Sequence, residues 1–153
     1  MRLASAVLLA TLLGAAGSAG AQASAARLNY IQYCAGCHLM DGGGAPQRGI
    51  PSMHDGALGR FLQVPGGREF IAQVPGVMNS PLNDRQIADL MNWLLPAMAD
   101  PRTPAAATAP MPPYSADEIA RLRKSRPADV LGARAQLIER MQHADAGAGK
   151  ALP

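Results

Sequence analysis

The chain has 153 residues, of which 48% are hydrophobic and only 4% aromatic, with a formal net charge of +3. Its 14 basic and 11 acidic side chains come nearer to balance once Arg2 is removed with an N-terminal leader. That composition points to neither a nucleic-acid nor an anionic-lipid partner.

Residues 1–23 read as a secretory signal peptide. Arg2 supplies the leading positive charge, Ala6 to Leu13 is apolar, and Ala21-Gln22-Ala23 is an Ala-x-Ala cleavage site. The apolar run is shorter than the ~20 residues a spanning helix needs, and Gly14, Gly17 and Gly20 dilute the stretch beyond it. Cleavage near Ala23 should release a periplasmic protein with no stable membrane insertion.

Three parts come after the leader: residues 24–99, a Pro/Ala-rich linker over 100–113, and a helical extension over 114–153. The first opens with a helix predicted over 25–37, with Leu28, Tyr30, Ile31 and Tyr33 facing inward. It runs into Cys34-Ala35-Gly36-Cys37-His38. Cys-x-x-Cys-His is the motif through which one haem is attached covalently and its iron given an axial ligand. On a helix, positions i and i+3 share a face. Cys34 and Cys37 can therefore each bond a vinyl carbon of one porphyrin edge while His38 turns under the ring. A thioredoxin-like pair would follow a strand, and none precedes the motif. A zinc site would need further ligands, and beyond His38 the chain offers only His54 and His143. The cofactor is thus read as one haem c, which also gives a small aromatic-poor domain something to build its core around.

Gly42-Gly43-Gly44-Ala45-Pro46 reads as a loop, and short helices are predicted over 56–62 and 67–74, separated by Pro65-Gly66. Pro75-Gly76 is expected to break the chain. Asn83 should cap a helix whose Ile87, Leu90, Met91 and Leu94 recur on one face, with Pro96 ending or kinking it. No segment reads as a strand, so the fold class is all-α, a small helical domain wrapped around haem. After the linker, Ser115 to Glu118 forms a capping box, Ile119 and Leu122 begin an apolar stripe, and Pro127 interrupts it. A last helix over 128–141 carries Val130, Leu131, Leu137, Ile138 and Met141, and the C-terminal end is expected to be disordered. Its apolar face is too small to fold alone. It should dock on the haem domain or on a partner, with Arg121, Arg123, Lys124 and Arg126 as a candidate basic docking cluster.

A low-spin haem carrier needs a second axial ligand, and a methionine thioether stabilises ferrous iron. Of eight methionines, Met1 lies in the leader, Met40 is too close to His38 to reach the far face of the ring, Met91 is on the apolar stripe, and Met98, Met111 and Met141 lie in or beyond the domain's end. Met53 and Met78 remain, with His54 as an outside candidate.

Over residues 28–95 the chain resembles the class I cytochrome c family, through the Cys34–His38 motif, Tyr30 four residues before it, Gly49-Ile50-Pro51, Arg60, Met78 ahead of Asn79 to Asp84, and Trp93. The resemblance implies an aromatic at Tyr30 packed on the domain's last helix and a Pro51 carbonyl that accepts a hydrogen bond from the proximal histidine. It also implies a haem propionate held by Arg60, and Met78 as the sixth ligand opposite His38. Asn79 stands where many members have proline. With both axial positions filled, the implied function is one-electron transfer without catalysis, between a dehydrogenase and a downstream oxidase or cytochrome. Two other functions remain open at this point: a haem subunit of a larger oxidoreductase, and a five-coordinate haem sensor or peroxidase if no side chain binds the far face.

Overall fold

The computed structural model describes residues 20–54, 57–98 and 111–149. The expected leader up to residue 19, Gly56, Ala99 and linker residues 100–110 lie outside the described residues. The described chain is helical. Its only extended pairing is an isolated antiparallel bridge between Ala45 and Ile50, so the all-α expectation holds.

Helix α1 spans 20–33, a turn at Cys34 follows, and α2 covers Ala35–His38. The single helix expected over 25–37 is therefore two. Ala26 and Tyr30 are buried, whereas Leu28 and Tyr33 are exposed, against the expectation that both face inward. Tyr30 explains the difference. Its ring packs against Trp93 with centroids 5.7 Å apart and a 55° tilt, and Leu28 lies roughly 200° round the helix from it. One stripe faces the core, and Tyr30 sets it.

After a loop come α3 (Ala57–Leu62), α4 (Gly67–Gln73), α5 (Pro75–Met78) and α6 (Asp84–Ala97). Phe61 and Phe70 clasp α3 to α4 with ring centroids 5.6 Å apart. Pro75, expected to break the chain, instead begins α5, where a fixed φ suits the first helical turn and the missing N–H would have no intrahelical partner anyway. Asn83 caps α6 as expected, accepting from the Gln86 N–H while the Gln86 side chain returns the bond to the Asn83 N–H. Ile87, Ala88, Leu90, Met91 and Leu94 are buried along one face, and Pro96 lies within the last turn.

Beyond the linker, α7 (Ala116–Lys124) packs on α6 and α4, and α8 (Val130–Gly149) on α3 and α4. Ser115 caps α7 through the Glu118 N–H. The reciprocal half of the capping box is absent, because both Glu118 carboxylate oxygens accept from Arg68 at 2.8 and 2.9 Å. The Arg68 guanidinium also lies over the Tyr114 ring at 3.8 Å, and the Tyr114 hydroxyl donates to the Arg68 carbonyl. Asn92 bonds the backbone N–H and carbonyl of Tyr114 with one amide. Tyr114, Ile119, Leu122, Leu137 and Met141 join the same hydrophobic cluster as Tyr30, Phe70 and Met91, so the extension shares the core of the segment before the linker. Leu131, placed on the buried face by the pattern, is exposed. Helix α8 continues to Gly149, past the end of its apolar pattern and into the C-terminal stretch expected to be disordered. Among the described residues no helix is long and apolar enough to cross a membrane.

Candidate functional site

The end of α1 builds the site. The Cys34 N–H donates to the Tyr30 carbonyl at 2.8 Å, and the Cys34 carbonyl accepts from both Cys37 and His38 N–H groups at 3.1 and 2.9 Å. This one-turn helix holds the two cysteines at i and i+3, on one face. Both thiols are unpaired, with Cys34 half-buried and Cys37 exposed. Burial pushes the Cys34 thiol up from its ordinary pKa, and the neighbouring Cys37 adds to the shift. The turn ends at Leu39, whose φ of 63° is left-handed without a glycine's freedom. Tyr30 stabilises it: the buried hydroxyl donates to the Leu39 carbonyl at 2.7 Å.

Behind His38 runs the glycine loop. The Gly44 N–H donates to the His38 carbonyl at 3.1 Å, Ala45 and Ile50 exchange backbone hydrogen bonds, and the Met53 N–H donates to the Gly42 carbonyl at 2.9 Å. These bonds fold 39–53 back on the histidine. At Gly44, with φ +67°, an added Cβ would stand 2.5 Å from the Pro51 carbonyl oxygen and 2.8 Å from that of Ile50. Glycine is what lets the two backbone segments pass. His38 Nδ1 is buried without a full hydrogen bond, and the Pro51 carbonyl is the backbone group that acts on the ring. Burial holds the imidazole below its ordinary pKa, with the Pro51 carbonyl partly offsetting that shift. The neutral ring is the ligating form.

The remaining sequence-named residues lie elsewhere. Met78 is buried at the end of α5, its N–H donating to the Val74 carbonyl at 3.0 Å. Met53 and His54 are half-buried at the end of the loop that carries Pro51. Arg60 is exposed on α3. Thus Tyr30, Cys34, Cys37, His38 and Pro51 converge in one loop-and-turn unit, while Arg60 and Met78 come from separate helices. Gly44 was not singled out by sequence reasoning. Its signal was the three-glycine run, read there only as a loop. The basic cluster read as a docking patch divides: Arg121 and Lys124 are exposed, whereas Arg123 and Arg126 bond residues of this chain.

The donors fit a haem c. Two unpaired thiols on one helical face suit thioether bonds, and a buried Nδ1 with a backbone carbonyl behind it leaves Nε2 of the same ring for iron. Met78 carries a buried thioether, a soft donor type.

No family model matches the chain, and no solved structure does. It is similar to a cytochrome c-552 of Thermus thermophilus, 34% identical over 146 residues that cover 82% of this chain and 92% of that protein. It is also similar to a second Thermus thermophilus cytochrome c-552, 32% identical over 136 residues covering 76% of this chain and 98% of that protein.

Proposed function

Because this chain belongs to the class I c-type cytochromes, we propose that it is an exported single-electron carrier with His38 and Met78 as the axial ligands of one haem c. The observation that carries the reading is the Cys34–His38 turn, with both thiols unpaired and the imidazole Nδ1 buried in front of the Pro51 carbonyl. The haem supplies one-electron exchange between ferric and ferrous iron. The chain's own residues bind and tune it.

Cys34 and Cys37 hold one porphyrin edge, and the Tyr30 hydroxyl locks the Leu39 carbonyl that ends their turn. The Pro51 carbonyl orients the imidazole and raises its basicity, which favours the ferric state. Met78 opposes that effect, since a thioether favours ferrous iron. Burial of Met78 supports its assignment over Met53, whose backbone is tied to Gly42 in the loop behind His38. Arg60 is assigned to a propionate by the family pattern.

The donor is a dehydrogenase and the acceptor an oxidase or another cytochrome, met in short encounters. Tyr33, Leu39 and Met40, exposed beside the motif, provide an apolar rim suited to such small interfaces. Use of Arg123 and Arg126 within the fold weighs against permanent docking through the C-terminal basic cluster.

Ferric and ferrous spectra of wild type beside Met78→Ala test this reading. Wild type should show a low-spin haem c pattern with a far-red methionine charge-transfer absorbance, and Met78→Ala should lose that absorbance. Rapid carbon monoxide binding by ferrous wild type at neutral pH would refute the His/Met carrier and favour an open site.

A further inference from the structure

Met78 sits midway along a segment, residues 73–84, that is tied to one short stretch of the C-terminal extension. At the segment's start, the buried Gln73 side chain donates to the Leu122 carbonyl at 3.1 Å and to Ser125 Oγ at 3.3 Å. One residue past Met78, the Asn79 side-chain oxygen accepts from Arg126 Nη1 at 2.8 Å. At the segment's end, Arg123 Nη2 donates to the Leu82 carbonyl. Arg123 Nε stands 2.9 Å from Asp84 Oδ1 as an ion pair, off the line of a hydrogen bond.

We infer that residues 122–126 brace the Met78 segment, making Arg123 and Arg126 positioning residues for the axial thioether. The inference rests on Met78 being the sixth ligand. Isolated exposed ion pairs contribute little, and Arg123 with Asp84 alone would not carry it. The pattern does: three ties, at both ends and near the middle, run from five consecutive residues to the segment that presents Met78. The tie from Arg123 reaches a main-chain carbonyl of the segment, at Leu82, and so acts on its backbone position.

Between the ties the segment has only short-range bonds of its own. They run from the Val77 and Met78 N–H groups to the Val74 carbonyl, from the Asn79 N–H to the Pro75 carbonyl, and from the Ser80 N–H and Oγ to the Val77 carbonyl. A single helical turn is marginal without tertiary support. The brace therefore holds α5 in one place and keeps the thioether on the iron. Loosening it lowers the free energy of moving Met78 away, and an outside ligand then binds more readily.

The test is imidazole binding to the ferric holoprotein. One iron–nitrogen bond forms, the iron–sulfur bond to Met78 breaks, and no electron is transferred. Arg123→Gln/Arg126→Gln should bind imidazole about tenfold more tightly than wild type, equivalent to about 1.4 kcal/mol, the order of one charge-assisted hydrogen bond. Arg126→Gln alone, removing an exposed side chain, should tighten binding about threefold, and Arg126→Lys should restore most of the difference. Lys124→Gln, which removes an exposed cation at the end of α7, should match wild type. Amide exchange should quicken at residues 79–82 in the Arg variants and stay unchanged in α1.

Wild-type imidazole affinity in both Arg variants, or an equal rise in Lys124→Gln, would overturn the brace. If Met78→Ala kept the far-red absorbance, the ligand assignment itself would fall, a separate result. Should the double variant not fold, Arg126→Gln decides.

Discussion

Replacing Gly44 by alanine tests whether the loop behind His38 is built around the Pro51 carbonyl. Two terms add. The left-handed φ of +67° at Gly44 disfavours any Cβ by about 1–2 kcal/mol. The Cβ would also lie 2.5 Å and 2.8 Å from the Pro51 and Ile50 carbonyl oxygens. Neither oxygen belongs to a side chain that can swing aside, so the 50–51 backbone must retreat, at a further cost of about 1–2 kcal/mol. The sum is about 2–4 kcal/mol. Two neighbours separate the terms. Gly49, at φ +77° with nothing within 4 Å of its Cβ position, should lose only the conformational term, about 1–2 kcal/mol. Gly43 lacks a left-handed φ and meets only the Asp41 carboxylate at 3.2 Å. Its replacement should change stability by less than about 1 kcal/mol. Guanidinium unfolding of the three holoprotein variants measures the series. Moving the Pro51 carbonyl off the imidazole should also raise the reduction potential of Gly44→Ala alone, because a less basic imidazole favours ferric iron less. Equal losses for Gly44→Ala and Gly49→Ala, with unchanged potentials, would refute the close-approach argument.

Tyr30→Phe keeps the ring against Trp93 and removes the bond to the Leu39 carbonyl, so it should destabilise the holoprotein by about 1 kcal/mol in the same unfolding assay. Arg68 holds the Glu118 carboxyl below its ordinary pKa. The stability this contributes is present above the unfolded carboxylate value, about pH 4, and is lost as pH falls through the lower folded value. Glu118→Gln should therefore be less stable than wild type at neutral pH, with the gap closing in acid, as read from thermal midpoints against pH. Met53→Leu should retain the far-red methionine absorbance that Met78→Ala loses, and its disappearance in Met53→Leu would move the sixth ligand to Met53.

Local chemistry was legible wherever the interacting residues are near in sequence. The Cys34–His38 turn closes within its own hydrogen bonds, and the Asn83–Gln86 capping box spans only four residues. The α6 stripe follows from helical period alone. Legibility faded where a neighbour chose between local options. Leu28 and Tyr33 fit the apolar pattern of α1 as well as Tyr30 does, and only Trp93 across the core decides which stripe turns inward. The capping box at Ser115 lost its second half because Arg68, 50 residues away, takes the Glu118 carboxylate.

The sequence by itself determined the attachment chemistry and the helical class, because thiol spacing and hydrophobic period are properties of adjacent residues. Tertiary structure decided what stands around them. Arg123 reaches Leu82 across 41 positions and Arg126 reaches Asn79 across 47, and both pairings depend on how the end of α7 lies against the stretch between α5 and α6. Nothing in a run of basic residues tells whether the charges face solvent, a partner or the chain's own carbonyls. Packing assigned two of them to the segment that carries Met78.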